Sequence, residues 1–341
     1  MADKNVISKL LEKGKIIEEL ALKEFDLKPD NLLKKMMMEY FKRGGKRLRP
    51  VLCMTVCEAF GEDVRKSYNT AIALEIFQQW ILIHDDIEDY SDERRGKPCL
   101  HRIYGVPLAA NTGDALHIMM WDALLKNKKT IGEEKCYKVM KEFVSMATEC
   151  TSGQSKELEW VGMKEWNITE NDYYEMAKRK TSWYTIITPC RLGAVIGGAS
   201  DEQLDAFNSF GENLGIAFQI EDDLLNIIGD EKKYGKEIAG DIWEGKRTLM
   251  LIHLANNASP DERKKIIEIM NKKREDKKSD EISYVLELMH KHNSISHAKE
   301  KAKEFARKGK AIFEKKFGFL KESEAKSLLR GVVDFVADRE L

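Results

Sequence analysis

Asp85, Asp86 and Asp89 close an apolar run in the stretch His84-Asp85-Asp86-Ile87-Glu88-Asp89, and Asp92-Glu93-Arg94-Arg95-Gly96 follows at once. The segment before them, Leu74-Glu75-Ile76-Phe77-Gln78-Gln79-Trp80-Ile81-Leu82-Ile83, is apolar enough to form a buried helix. On such a helix Asp85 and Asp89, four residues apart, present carboxylates from one face with Asp86 beside them. Acids at the mouth of an apolar helix are unfavourable unless cations neutralise them. Oxygen donors of this kind suit Mg²⁺, which keeps several waters and takes one or two carboxylates together with phosphate oxygens. Arg94 and Arg95 offer forked donors for the same phosphates. Taken alone, the stretch serves equally well as a solvated acidic helix end paired with its own arginines.

A second acidic cluster removes much of that ambiguity. In Phe218-Gln219-Ile220-Glu221-Asp222-Asp223-Leu224-Leu225-Asn226, Asp222 and Asn226 repeat the spacing of Asp85 and Asp89 inside another apolar helix. Gln219 lies one turn below Asp222 and Asp223. Lys236, in Tyr234-Gly235-Lys236-Glu237, and Lys246, in Gly245-Lys246-Arg247-Thr248, follow as spaced cations. Two such clusters facing one another would clamp a diphosphate through bridging metal ions. A third basic element, Gly44-Gly45-Lys46-Arg47-Leu48-Arg49-Pro50, joins two helices where backbone donors and side-chain charge can meet an anion.

The elements that must hold these groups read as helices. Val6, Leu10, Ile17 and Leu20 recur at helical spacing over 5–25, and 31–43 repeats the pattern up to Gly44. Further helices are expected from about 107 to 126, over 133–163 and over 169–198, the last opening with a capping box at Thr169-Glu170-Asn171-Asp172. Lys180 and Thr181 fall midway along it. Pro189 frees the carbonyl of Thr185 and predicts a kink there. Beyond Pro260 the chain reads as lysine-rich helices, with 272–278 as an exposed connection and Met36, Met37 and Met38 assigned to the core.

Composition narrows the class. The 341 residues carry 57 Lys and Arg against 58 Asp and Glu, a net charge of -1, so no global basic field points to nucleic acid. Charged residues make up 34% and prolines number six, favouring long charged-surface helices over a β-rich fold. The scattered cysteines read as buried thiols in a reducing compartment, which makes the Asn167 and Asn257 sequons chance matches. No run approaches the length of a membrane span, and the N-terminus lacks a signal-peptide core. A cytoplasmic protein without stable membrane insertion is expected, folded as one domain over 1–341.

With these blocks in place the sequence resembles the trans-prenyltransferases, the isoprenoid or polyprenyl diphosphate synthases. The resemblance runs from Gly44-Gly45-Lys46 to Phe335-Val336-Ala337-Asp338-Arg339 and rests on Asp85-Asp86-Ile87-Glu88-Asp89, Arg94-Arg95-Gly96, Lys180-Thr181, Phe218-Gln219, Asp222-Asp223-Leu224-Leu225-Asn226 and Gly245-Lys246-Arg247-Thr248-Leu249. It implies an all-α helical barrel around one deep central cavity, assembled as a homodimer. It further implies that Asp85, Asp86, Asp89, Asp222 and Asp223 hold three Mg²⁺ ions on an allylic diphosphate. Arg94, Lys180, Lys236 and Lys246 would add positive charge there, and Thr181 and Gln219 would aim oxygen dipoles at the allylic cation. Isopentenyl diphosphate would lie on Lys46, Arg49 and Arg95, with Gln78 where the family often has histidine. Asn226 departs from the aspartate that commonly closes the second motif, which removes a charge and lowers the expected metal affinity of that cluster.

Product length follows from packing beneath the first motif. Family analogy places the floor at Trp80, with Ile81 as neighbour, whereas ideal helix geometry puts Ile81 and Phe77 directly beneath Asp85. An aromatic five residues before Asp85, with no insertion in the motif, resembles archaeal-type geranylgeranyl diphosphate synthases and makes C20 the expected product, with C15 the alternative. A head-to-head squalene- or phytoene-type synthase would share the first motif but leave Lys46 and Arg49 unexplained. A class I terpene cyclase would need a different second metal site. A non-catalytic regulatory subunit would be expected to have lost its aspartates.

Overall fold

Two helices buried on nearly every side form the axis of the fold, and each carries one acidic motif at its C-terminal end. The computed structural model describes residues 4–26, 30–229 and 237–337. Its helices are α1 (Lys4–Asp26), α2 (Leu32–Lys42), α3 (Leu48–Ala59), α4 (Tyr68–Glu88), α5 (Leu100–Tyr104), α6 (Val106–Leu125) and α7 (Asn127–Gly162). Then come α8 (Glu170–Ala177), a π-helical segment (Lys178–Ile187), α9 (Thr188–Gly197) and α10 (Asp201–Ile228). The C-terminal part adds α11 (Gly240–Glu244), α12 (Leu249–Asn257), α13 (Pro260–Met270), α14 (Ser279–Lys291), α15 (Ser294–Lys316) and α16 (Glu324–Ala337). Among the described residues the only sheet is the two-residue hairpin Glu93–Arg94 with Lys97–Pro98, turning at Gly96. The fold is all-α, as the composition predicts, with helices ranged around a cavity between α4 and α10.

α4 packs against α6 and α3, and α10 against α15 and the π segment. Ala71, Ala73, Leu74, Ile76, Phe77 and Ile83 put apolar atoms all round α4. A helix enclosed in this way must satisfy its polar side chains internally. Glu75, fully buried, takes Nη1 of Arg47 at 2.8 Å and the amide of Gln79. Burial pushes the Glu75 carboxyl upward against the pull of Arg47. Arg47, held in the left-handed region at φ 49°, also donates to the carbonyls of Phe41 and Gly44. A buried pair on α4 thereby fixes the basic loop 44–47 at the side of the cavity.

The interruption expected near Pro189 takes the form of ten residues of π-helix rather than a simple kink. Proline opens α9 without an amide to donate, and the widened turn precedes it. The segment is wedged between two glycines. A Cβ on Gly153 of α7 would stand 2.7 Å from the Lys180 Cα, and one on Gly215 of α10 would overlap Ser182. Only bare backbone lets α7 and α10 close on the segment from both sides, and this sets where Lys180 and Thr181 point.

The other sequence expectations fare unevenly. Thr169 and Asp172 form the expected capping box, Asn31 caps α2, and Met36 and Met37 lie in the core. All six cysteines are buried free thiols. The long helix expected over 133–163 follows a break at Gly132, φ 81°, which separates it from a short turn of helix beginning at Asn127. The segment 272–278 is exposed at Lys272, Lys273, Glu275, Asp276 and Lys278 as expected, but Lys277 is buried and donates to the Trp243 carbonyl at 2.6 Å, while Arg274 reaches Asp92 and Glu237. A run of mixed charge along a short loop does not reveal which of its cations have carboxylates or carbonyls waiting elsewhere in the fold. Among the described residues no helix is long and apolar enough to cross a membrane.

Candidate active site

The C-terminal ends of α4 and α10 open into one cavity of about 620 Å³. Asp85 enters it from α4, and Gln219, Asp222 and Asp223 enter from α10. Lys46 and Arg49 come from the loop 44–47 and the start of α3, Arg94 and Arg95 from the hairpin, Lys180 and Thr181 from the π segment, and Lys246 from the turn after α11. Gln78, Trp80 and Ile81 line it further down α4. The blocks singled out in the sequence therefore converge, with four exceptions besides Asn226, described below. Asp86 and Asp89 do not face the cavity, Phe77 lies behind its wall, and Lys236 (like Asp230, Tyr234, Gly235, Asp338 and Arg339) lies outside the described residues.

Asp86 is fully buried. It accepts from the Tyr40 hydroxyl at 2.6 Å and from Arg94 Nε at 2.8 Å. The same guanidinium reaches Asp85 at 3.2 Å. Asp86 thus anchors Arg94, and Arg94 shares its charge with the carboxylate that faces the cavity. Asp89 takes the Lys246 ammonium at 2.6 Å, and Glu244 stands 3.0 Å from the same nitrogen. Burial works against charge on Lys246, but Asp89 and Glu244 outweigh it and hold its pKa well above the ordinary lysine value. Lys180 is in the same position: burial opposes its charge, and the adjacent Glu157 raises its pKa nonetheless. Its ammonium stands 4.0 Å from Asp85.

On the opposite wall the Thr181 hydroxyl donates to Gln219 Oε1. The Gln219 amide donates to Asp223 at 2.7 Å, and the Tyr173 hydroxyl donates to the other Asp223 oxygen at 2.7 Å. Burial lifts the Asp223 carboxyl to about 7 despite these donors. The chain of bonds fixes both dipoles that the resemblance assigns to the allylic cation. Asn226 faces away from the cavity: its Oδ1 accepts from the Asp241 amide at 3.0 Å, and its carbonyl accepts from Ala239 at 2.7 Å. It pins the turn that brings Asp241 and Lys246 to the cavity, a task the uncharged amide performs.

The basic loop is equally specific. Arg49 stacks over the Tyr184 ring at 4.0 Å and donates to Thr185 Oγ1 at 2.7 Å. Arg95, at φ 55°, donates to the Tyr40 carbonyl at 2.8 Å, and burial together with Arg47 lowers its pKa to about 10. Gln78 Oε1 is buried with no hydrogen-bond partner, an acceptor left open at the cavity wall. Lower down, the Trp80 indole stacks on His117 of α6 at 4.3 Å, and Phe77 meets it edge-on at 5.2 Å.

Sequence reasoning missed several contributors. Gln154 and Glu157 of α7 line the cavity, and Gln154 Nε2 donates to Glu88 at 2.8 Å and Asp85 at 3.5 Å. Both lie on a charged helix where nothing in the spacing separates them from solvated neighbours. Asp241 also lines the cavity; its place in the block before Lys246 was the only signal.

The donor set fits Mg²⁺ shared with a substrate. Among the described residues no three His, Cys, Asp or Glu side chains converge to hold a metal by themselves. Single carboxylates facing each other across a cavity, with cations between, suit an ion that completes its shell from water and phosphate oxygens. Carboxylates, cations and oriented dipoles above an apolar lower wall suit chemistry on a diphosphate that carries a hydrocarbon.

The polyprenyl synthetase family pattern matches residues 30–289. The chain belongs to the polyprenyl synthetase family and is a prenyltransferase. It is 34% identical over 274 residues to the geranylgeranyl diphosphate synthase of Saccharolobus solfataricus, covering 80% of this chain and 81% of that one. The crystal structure of geranylgeranyl pyrophosphate synthetase from Pyrococcus horikoshii Ot3 superposes with a TM-score of 0.85 at 33% identity, covering 99% of both chains. The geranylgeranyl pyrophosphate synthase of Corynebacterium glutamicum, crystallised with isoprenyl diphosphate and magnesium, gives a TM-score of 0.88 at 25% identity, covering 97% of this chain and 99% of that one. The family and these complexes indicate use of a divalent metal.

Proposed function

We propose that the protein, one synthase domain over 1–341, condenses isopentenyl diphosphate head-to-tail (1′-4) with allylic diphosphates to make geranylgeranyl diphosphate, C20. The observation that carries this is the convergence of both acidic motifs, the 46–49 cations and Trp80 on one cavity. Three Mg²⁺ ions held by Asp85, Asp222 and Asp223, with Asp86 and Asp89 of the first motif behind them, would neutralise the departing diphosphate. Asp85 and Asp222 face the cavity directly, whereas Asp86 and Asp89 serve through Arg94 and Lys246 in the described geometry. Arg94, Lys180, Lys246 and Lys236 place further charge around the same group. Thr181 and Gln219 turn oxygen dipoles towards the allylic carbon without a nucleophile strong enough to trap it. Lys46, Arg49 and Arg95 hold isopentenyl diphosphate, and the open Gln78 acceptor sits beside it. The released diphosphate takes the proton, so no protein base is required.

Purified protein incubated with Mg²⁺, isopentenyl diphosphate and each allylic primer tests this reading. Diphosphate release that needs both substrates, with a C20 product, is the expected result. Release from an allylic substrate alone would replace the proposal with cyclisation or head-to-head coupling, and no release with any primer would favour a regulatory subunit.

Trp80 and Ile81 form the floor, with Phe77 supporting Trp80 from behind. Trp80→Ala removes the side chain that closes the cavity below the first motif and is expected to lengthen the main product beyond C20; adding Phe77→Ala extends it further. Chromatography showing an unchanged product in both variants would remove these residues from the floor.

The homodimer is proposed through α6. Ile118 is 70% exposed and Leu125 58%, with Trp121 half-buried between them at helical spacing. An apolar stripe of this kind on a soluble helix is a surface built to be covered. Ile118→Glu is expected to shift light-scattering mass from two chains to one, whereas a wild-type protein already of one-chain mass would discard the interface. Buried free thiols accord with a cytoplasmic location.

A further inference from the structure

We infer that Arg274 is a positioning residue for the diphosphate site, tying the loop after the first acidic motif to the loop after the second. The inference rests on the condensation reading above but concerns a residue outside every motif that carries it. Segments 89–92 and 237–246 are joined three times. Lys246 donates to Asp89 at 2.6 Å, and Ser91 Oγ donates to Glu244 at 3.3 Å. Arg274 donates to Asp92 at 3.0 Å and to Glu237, and its other terminal nitrogen stands 3.9 Å from Glu244.

The three ties are not equivalent. On the condensation reading the diphosphate draws Lys246, which lines the cavity, so its tie to Asp89 yields as substrate binds. Ser91 to Glu244 is a single long bond from a neutral donor. Arg274 provides the charged tie for which substrate does not compete. Its base is firm: the same turn carries Lys277, buried and bonded to the Trp243 carbonyl, and Asn271 just before it accepts from Arg247 at 3.0 Å. A guanidinium mounted on this turn therefore holds the two loops at a set separation, and with them Asp85 and Asp222.

Hydrogen exchange over residues 237–246 tests the tie without reference to turnover. Arg274→Ala is expected to speed exchange there about fivefold, and Asp92→Asn to act in the same direction. Arg274→Lys, which keeps the charge, restores part of the protection. In kinetics, Arg274→Ala raises the KM for the allylic diphosphate and the Mg²⁺ concentration for half activity, and leaves the KM for isopentenyl diphosphate unchanged. Unchanged exchange in Arg274→Ala and Asp92→Asn overturns the inference. So does a rise in both KM values alongside a lowered melting temperature, the mark of general loosening. Wild-type protein that fails to turn over would end the condensation reading, while the exchange measurement still decides the tie.

Discussion

Asp85→Asn is expected to lower kcat by roughly 10³-fold while leaving the denaturation midpoint close to wild type. The substitution is isosteric and removes one negative charge from a side chain that faces the cavity, near Arg94 at 3.2 Å and Lys180 at 4.0 Å. On the proposed reaction, losing the carboxylate removes a ligand position beside the leaving diphosphate, where charge would develop as the C–O bond breaks. Asp86→Asn, one residue away, has a different outcome. Asp86 does not reach the cavity, and its loss leaves the buried Arg94 guanidinium short of its main partner. Breaking a buried pair from one side destabilises by about 3–5 kcal/mol, so Asp86→Asn should lower the denaturation midpoint clearly. Steady-state product formation and chemical denaturation on the two variants check the contrast. Full kcat in Asp85→Asn, at saturating Mg²⁺, would show that this carboxylate does no chemistry.

The second large effect is expected at a residue with no side chain. Gly153→Ala puts a methyl group against the backbone of Lys180, which has no flexible end to move aside. Overpacking of this kind destabilises by about 1–3 kcal/mol and occasionally more. Relief requires α7 and the π segment to separate, and a shift near 1 Å in Lys180 and Thr181 lowers kcat by about 10²-fold. Gly162→Ala on the same helix meets nothing within 4 Å and serves as the control. If both variants match wild type in stability and rate, the close approach at Gly153 does not position the site.

The helical class, most element positions and the convergence of the motifs were legible because each rests on local periodicity or on charge where an apolar helix should exclude it. Asp85 and Asp222 announce themselves in this way as a pair: one acidic helix end has a local explanation in its own arginines, and two inside apolar runs do not. Glu157 does not, because it lies on α7 among lysines and glutamates that are solvated, and only the fold brings it to Lys180. Arg274 is the same case in a loop, since its partners Asp92 and Glu237 are distant in sequence and recruited by tertiary packing. Asp86 and Asp89 show the limit from the other side. Their spacing announces acids at a site, but which carboxylate faces inward depends on where Tyr40 and Lys246 arrive.

The pairing of Lys180 with Glu157 and of Lys246 with Asp89 bears on what the cavity rejects. Each ammonium already has an anion of its own, so sulfate, inorganic phosphate or a stray nucleotide meets little unspent attraction there. On the proposed reaction those lysines turn towards phosphate once other cations relieve their carboxylates. On the proposed reaction, internal neutralisation of these two lysines disfavours the cell's abundant anions there before any feature of the hydrocarbon is read.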